Sequence, residues 1–337
     1  MRSLVLGGST FVGRRLAQQL VERGDEVGVL NRGRTPSALP PGVQRFVADR
    51  TDADSMRAAL AGTEWDAVHD VSGFVMVAGG SPIGDLLDIF AGRTAAYVFV
   101  SSIMAYEPTP LMPWTEDQPV SSDPPTSYGG FKAHAENEIL RRFAETGFPG
   151  SVARPAAIYG PANNIHDMET AMFLRLRRSL PVLLPHGGLV TVSYGHVDDL
   201  CAQLIAMAAA PDAIAGGVVN TTGQAITTAG YVQALATIVG AEPDVRLVPD
   251  ELLATLKTKF DKPLWSHLFN ERHHGIVSTD KADRLGLPHE RGFAVGHRET
   301  YDWFADSELA DAPDELFDPV WKAGYDFAAE QHAAELL

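Results

Sequence analysis

An α/β fold built on a doubly wound parallel sheet is what this sequence predicts, and three observations predict it. Short apolar runs alternate with amphipathic stretches through the first two thirds of the chain. A glycine-rich turn separates the first apolar run from the first amphipathic stretch. Regions near Pro161 to Val192 and Pro243 to Gly292 interrupt the alternation and are rich in proline, arginine and histidine, which sets them apart from the sheet-forming sequence.

The elements follow in order. Ser3-Leu4-Val5-Leu6 suits a strand buried on both faces. Gly7-Gly8-Ser9-Thr10-Phe11-Val12-Gly13 makes the turn, and Arg14 to Arg23 is helical, with Leu16, Leu20 and Val21 as its apolar positions. Gly24-Asp25-Glu26 ends that helix before a second strand, Val27 to Leu30. Such a unit points free backbone N–H groups and the positive end of a helix at a pyrophosphate. Gly7, Ser9, Thr10, Phe11, Val12 and Gly13 are therefore the expected dinucleotide cradle.

After the second strand comes Asn31-Arg32-Gly33-Arg34, with no carboxylate. An acidic residue there holds the 2′-hydroxyl of NAD, whereas arginine accommodates a 2′-phosphate. NADP is thus expected in preference to NAD, on Asn31, Arg32 and Arg34. Further strands are predicted at Arg45 to Ala48, Ala67 to Val71, Ala96 to Val100, Gly150 to Ala153 and Gly217 to Asn220. A helix from Tyr128 to about Phe143 precedes the fourth of these.

That helix carries the chemistry. Tyr128 and Lys132 are four apart and share one face, beside Gly129-Gly130-Phe131. An ammonium near a phenol of ordinary pKa about 10 favours the phenolate. A phenol so tuned exchanges a proton with a carbinol oxygen, and Ser102 can hold that oxygen. Ser101 is the neighbouring alternative.

These residues resemble the extended short-chain dehydrogenase/reductases, the NAD-dependent epimerase/dehydratase group, from Met1 to about Phe304. The resemblance rests on Gly7 to Gly13, Val100 to Tyr106, Tyr128 to Lys132, Arg154-Pro155 with Tyr159-Gly160-Pro161, and His196-Val197-Asp198-Asp199. The turn is most similar to the branch of the chloroplast stem-loop-binding proteins, with a second glycine, Phe11, and Thr10 in place of the usual middle glycine. The resemblance implies a catalytic set of Ser102, Tyr128 and Lys132, with Lys132 also binding the nicotinamide ribose. It further implies that Asp49 meets the adenine, that Ser72 and Gly73 lie beside the cofactor's ribose, and that Pro155 belongs to the cofactor site. By the same resemblance, 1–160 and 193–240 form a Rossmann domain, 161–192 and 241–298 a smaller, discontinuous substrate lobe, and 299–337 an acidic, aromatic-rich extension.

Three function classes follow: a reductase or dehydrogenase with exchangeable cofactor, a sugar-nucleotide epimerase that retains it, and a redox-silent dinucleotide-binding sensor. Ile103 and Met104 stand where the family's dehydratases carry an acidic pair, which disfavours dehydration. Ala157 stands where many sugar-nucleotide enzymes carry asparagine, although Arg175, Arg177 and Arg178 offer a phosphate clamp.

Composition narrows the field. The 337 residues are 45% hydrophobic and 21% charged, as in a globular enzyme. The net charge of −16 is concentrated from Glu299 onward, where eleven carboxylates face Lys322 alone. An acidic chain is a poor partner for nucleic acid. Trp303, Phe304, Phe317, Trp321, Tyr325 and Phe327 predict that this tail packs on the body or on a second subunit, and a homodimer is expected. No apolar run is long enough for a membrane span, and the first strand leaves no room for a signal peptide, so a cytoplasmic protein is expected. Cys201 alone forms no disulfide framework, and His267, His273 and His274 lack the spacing of a zinc site, so no metal is expected.

Overall fold

The computed structural model describes residues 1–35, 39–72, 83–221, 223–260, 262–269, 274–318 and 323–337. They form two compact units. The first comprises Met1–Ala156, Val197–Gly223 and Val277–Glu290, and the second Ala157–His196, Gln224–Ile276 and Arg291–Leu337.

In the first unit the apolar runs form a seven-stranded sheet: β1 (Arg2–Leu6), β2 (Glu26–Asn31), β3 (Gln44–Val47), β4 (Trp65–Asp70), β5 (Thr94–Val100), β6 (Gly150–Arg154) and a last strand, Val218–Asn220. The order is Val218–Asn220, β6, β5, β4, β1, β2, β3, and every pairing is parallel. Chain order reverses between β1 and β4, and ligands of such sheets bind at the carboxyl ends of the strands beside that reversal. Continuous apolar sequence is what parallel strands covered on both faces demand. Leu4, Leu6, Tyr97, Phe99 and Val152 accordingly pack with Leu86, Leu87, Phe131 and Ile139 of the covering helices.

Two helices matter for the site. The first, α1 (Phe11–Glu22), follows the glycine turn directly. The second spans Tyr128–Thr146; Ser127 caps its start by accepting a 3.0 Å bond from the Gly130 N–H, and Gly147 ends it at φ +72°. A further helix, Val197–Ala209, packs on α1 through an ion pair between Arg15 and Asp198. Cys201 is buried on that helix as a free thiol whose pKa burial pushes up.

The second unit has shorter elements. Strands Ala157–Tyr159, Thr191–His196 and Gln224–Thr227 make one small sheet, and Pro181–Leu184 pairs in parallel with Asp244–Leu247. Phe173, Leu183, Tyr194, Leu235, Trp265 and Phe304 lie in its core. The acidic tail contributes a hairpin, Glu315–Asp318 with Ala323–Asp326, and a helix, Phe327–Ala334. Tyr325 and Phe327 are buried and stack with ring centroids 4.5 Å apart, so these tail aromatics serve as core. Trp321 and Lys322 lie outside the described residues. Among the described residues no helix is long and apolar enough to cross a membrane.

Candidate active site

The glycine turn is built by close packing. The Gly7 N–H donates to the Leu30 carbonyl at 2.9 Å, which seats the turn between β1 and β2. Gly7 sits at φ +95°, and a side chain there would run into Ser72. A Cβ at Gly8 would come within 2.7 Å of Val29, and one at Gly13 would strike the Gly7 carbonyl. Thr10 occupies the N-cap of α1 with no side-chain capping bond, and the first turn of α1 holds no acidic residue. The unspent N–H groups of that turn, backed by the helix dipole, fit a dinucleotide pyrophosphate. Ser9, Phe11 and Val12 complete the same turn, Phe11 buried at φ +28°.

Past β2, the Asn31 side chain accepts the Gly33 N–H at 2.8 Å and so turns the chain, leaving Arg32 and Arg34 exposed. Asp49 accepts from the Thr51 N–H at 3.0 Å and from the Thr51 hydroxyl at 2.7 Å. These bonds, then the charges of Arg32 and Arg34, hold its carboxyl below the usual range. Ser72 is half-buried beside Gly7, and Gly73 lies outside the described residues. The Pro155 carbonyl accepts the Ile103 N–H at 3.0 Å, tying the end of β6 to the residues after β5.

At the end of β5 the two serines part. Ser101 is buried, and its hydroxyl bonds to Glu136, which also takes the Arg154 guanidinium along both carboxylate oxygens. Ser102 faces the other way, accepts the Met104 N–H at 3.1 Å and forms a hydrogen bond with the Tyr128 phenol. Ser101 is therefore committed to the interior and Ser102 is the serine beside the phenol. Lys132 is 3% exposed, donates to the Val100 carbonyl at 2.7 Å, and lies 4.9 Å from the Phe99 ring centroid and 5.6 Å from that of Tyr128.

One expectation changes here. The spacing predicts that the ammonium draws the phenol down, but burial pushes the Tyr128 pKa up, and the Ser102 bond offsets only part of that. Burial also lowers Lys132 to about 8, partly countered by Asp70 and Glu136. Desolvation is the largest influence on both groups in a site this enclosed.

Two buried ion pairs are invisible to the sequence reading. Arg50 grips Asp70 at 2.6 and 2.9 Å and also bonds to the Ser72 hydroxyl, and Tyr97 donates to Asp70 at 2.7 Å. The second is Glu136–Arg154. The signal available is a carboxylate at the carboxyl end of a buried strand, Asp70 after Ala67-Val68-His69.

In the second unit the arginine cluster is spent on structure. Arg175 is buried and bidentate to Glu330 at 2.6 and 2.7 Å. Arg178 bonds to Asp314 and to the Ala312 carbonyl, both at 2.6 Å, and Arg177 lies 5.8 Å from the centre of the Phe304 ring. The acidic tail thus occupies two of the three clamp candidates. His267 pairs with Asp167 at 2.7 Å, and His274 accepts the Thr191 N–H at 3.0 Å; His273 lies outside the described residues.

The family model of the NAD dependent epimerase/dehydratase family matches residues 3–221. The chain belongs to that family. One relative is the chloroplast stem-loop binding protein of 41 kDa b of Arabidopsis thaliana, 27% identical over 215 residues, which cover 60% of this chain and 53% of that protein. The 2'-dehydrokanamycin reductase of Streptomyces kanamyceticus is 27% identical over 208 residues, covering 60% and 57%. The chain thus spans little more than half the length of these curated relatives. The dTDP-glucose 4,6-dehydratase of Bacillus anthracis str. Ames, solved with NAD, superposes with a TM-score of 0.75 at 17% identity, over 91% of this chain and 97% of that one. The UDP-glucose 4-epimerase of Thermus thermophilus, also with NAD, gives 0.70 at 24%, over 91% and 100%. The fold of the epimerase/dehydratase family is therefore the fold of this chain.

Proposed function

We propose that this chain is an oxidoreductase that moves a hydride between NADP(H) or NAD(H) and the carbon of a carbonyl or secondary alcohol. The observation that carries the proposal is the hydrogen-bonded Ser102–Tyr128 pair, with the buried Lys132 one helical turn along from the phenol. The Gly7 to Gly13 turn would hold the dinucleotide, which when bound would supply or accept the hydride. Tyr128 supplies the proton to a carbonyl oxygen: its phenol is protonated at neutral pH, burial raises its pKa further, and the Ser102 hydrogen bond works against that rise by favouring the phenolate that donation leaves. The Ser102 hydroxyl orients that oxygen. Lys132 places a positive charge behind the phenol and offers its remaining protons to ribose hydroxyls.

Two observations support exchange of cofactor over retention during sugar-nucleotide epimerisation. Ala157 has no amide to hold a diphosphate, and Arg175 and Arg178 already carry carboxylates of the tail. The intact Ser102, Tyr128 and Lys132 set speaks against a redox-silent sensor. A net charge of −16 speaks against a nucleic-acid partner. The exposed Arg32 and Arg34, with no carboxylate between them, support NADP(H).

The test is direct. The purified protein is denatured, the released small molecules are assayed for nicotinamide dinucleotide, and NADPH and NADH consumption is followed across a carbonyl panel. Little bound cofactor and carbonyl-dependent consumption are expected. Stoichiometric, non-exchanging NAD together with activity on a nucleotide sugar would replace this reading with the epimerase one.

A further inference from the structure

Beneath the glycine turn lies a charge cluster that the Ser102–Tyr128–Lys132 chemistry does not itself use. Asp70 ends β4 and is fully buried, and Arg50, 5% exposed, follows β3. β3 and β4 are not neighbours in the sheet, since β1 and β2 run between them. The guanidinium therefore spans the carboxyl ends of two intervening strands to reach its partner. Its bond to the Ser72 hydroxyl fixes the residue against which Gly7 packs. On the other side, Asp70 is in register with Phe99 of β5, and the Lys132 ammonium lies over that same Phe99 ring. One buried pair thus adjoins both the cofactor cradle and the lysine.

We propose that the Arg50–Asp70 pair is the positioning device of the site, anchoring Ser72 against the glycine turn and setting the charge balance around Lys132. Arg50 and Asp70 are positioning residues, acting through Ser72 and Lys132. The inference rests on the hydride-transfer reading for its purpose, though its geometry stands apart from it.

The electrostatics are specific. Lys132 faces Asp70 from β4, Arg50 from beyond β3, and Glu136 and Tyr128 on its own helix. Tyr97 of β5 and Arg154 of β6 act on it through the carboxylates of Asp70 and Glu136. Asp70 favours the charged lysine and Arg50 opposes it. Removing Asp70's charge therefore makes Lys132 lose its proton at lower pH, and removing Arg50's charge makes it hold the proton to higher pH. A role confined to stability predicts no such opposition.

The experiment is a 13C NMR titration of the lysine side chains, which is tractable because the chain has six lysines. The Lys132 signal is identified by its loss in Lys132→Met. Asp70→Asn is expected to move the Lys132 midpoint down and Arg50→Gln to move it up, with circular dichroism checking that each variant is folded. Shifts of the same sign, or none, would overturn the charge-balancing role. Ser72→Ala keeps both charges paired and serves if the charge variants fail to fold. It should weaken NADPH or NADH binding about ten-fold or more, the size of one hydrogen bond to a charged group, with Lys132 unmoved. Unchanged affinity would overturn the anchoring role. Opposite shifts without turnover of any carbonyl would remove the oxidoreductase reading and leave the positioning inference standing; turnover without the shifts would do the reverse.

Discussion

Neutralising Glu330 tests whether Arg175 anchors the tail or clamps a phosphate. Both side chains are almost fully buried, 2% and 1% exposed, and joined by two bonds of 2.6 and 2.7 Å. Glu330→Gln leaves a guanidinium in the interior without its counter-charge, at a cost of about 3–5 kcal/mol. In a unit of this size that lowers the melting temperature by about 10 °C. The neighbouring pair supplies the control: Asp314 is 77% exposed, so Asp314→Asn removes a screened contact worth less than about 1 kcal/mol. The double variant Arg175→Met/Glu330→Leu removes both charges and should recover most of the loss, because well-packed apolar side chains replace a buried pair at little cost. Urea unfolding of the four proteins measures all of this. Equal small losses for Glu330→Gln and Asp314→Asn would refute the anchor. So would unchanged stability with a raised KM for a phosphorylated substrate.

Three further outcomes follow from the same geometry. Gly13→Ala should lower dinucleotide affinity at least ten-fold, about 1.4 kcal/mol, since the added carbon strikes the Gly7 carbonyl although alanine favours the helix; fluorescence titration with NADPH measures it. His69 is fully buried with neither ring nitrogen bonded, and burial lowers its pKa to about 4. Its neutral form favours the fold above the unfolded value of about 6.5, so about 3 kcal/mol should be lost as pH falls from there to 4, and His69→Leu should flatten that limb of the stability curve. Removing Arg32 and Arg34 together should weaken NADPH far more than NADH in binding titrations, because only a 2′-phosphate offers them a dianion; equal losses would make them solvated bystanders.

The sheet is legible because parallel strands buried on both faces must be written as continuous apolar sequence, and Leu4 to Leu6, Val27 to Leu30 and Ala96 to Val100 are such sequence. The short strands of the second unit are not, since three or four residues such as Ala157–Tyr159 carry no period. The choice between Ser101 and Ser102 needs Glu136, which takes the former from a helix position 35 residues away. Arg50 and Asp70 meet across two intervening strands, a pairing no local pattern announces. The phenol's pKa goes the other way from the Tyr-x-x-x-Lys spacing because enclosure is a tertiary property, and here burial is the largest influence on it. The sequence leaves the arginine cluster open to a clamp or a basic helical face for a similar reason: the carboxylate partners of Arg175 and Arg178 lie 155 and 136 positions downstream.

The most direct measurement is transfer of deuterium from NADPH carrying deuterium at both C4 positions to a carbonyl substrate, in a single turnover, by the wild type and by Tyr128→Phe. Label should appear on the product carbon with the wild type. In the variant the rate should fall about 10²–10⁴-fold, the worth of a positioned proton donor, while NADPH binds within a few-fold of normal because the Gly7 to Gly13 turn is untouched. Undiminished transfer by a correctly folded Tyr128→Phe, or wild-type product formed without label, would contradict hydride transfer assisted by this phenol.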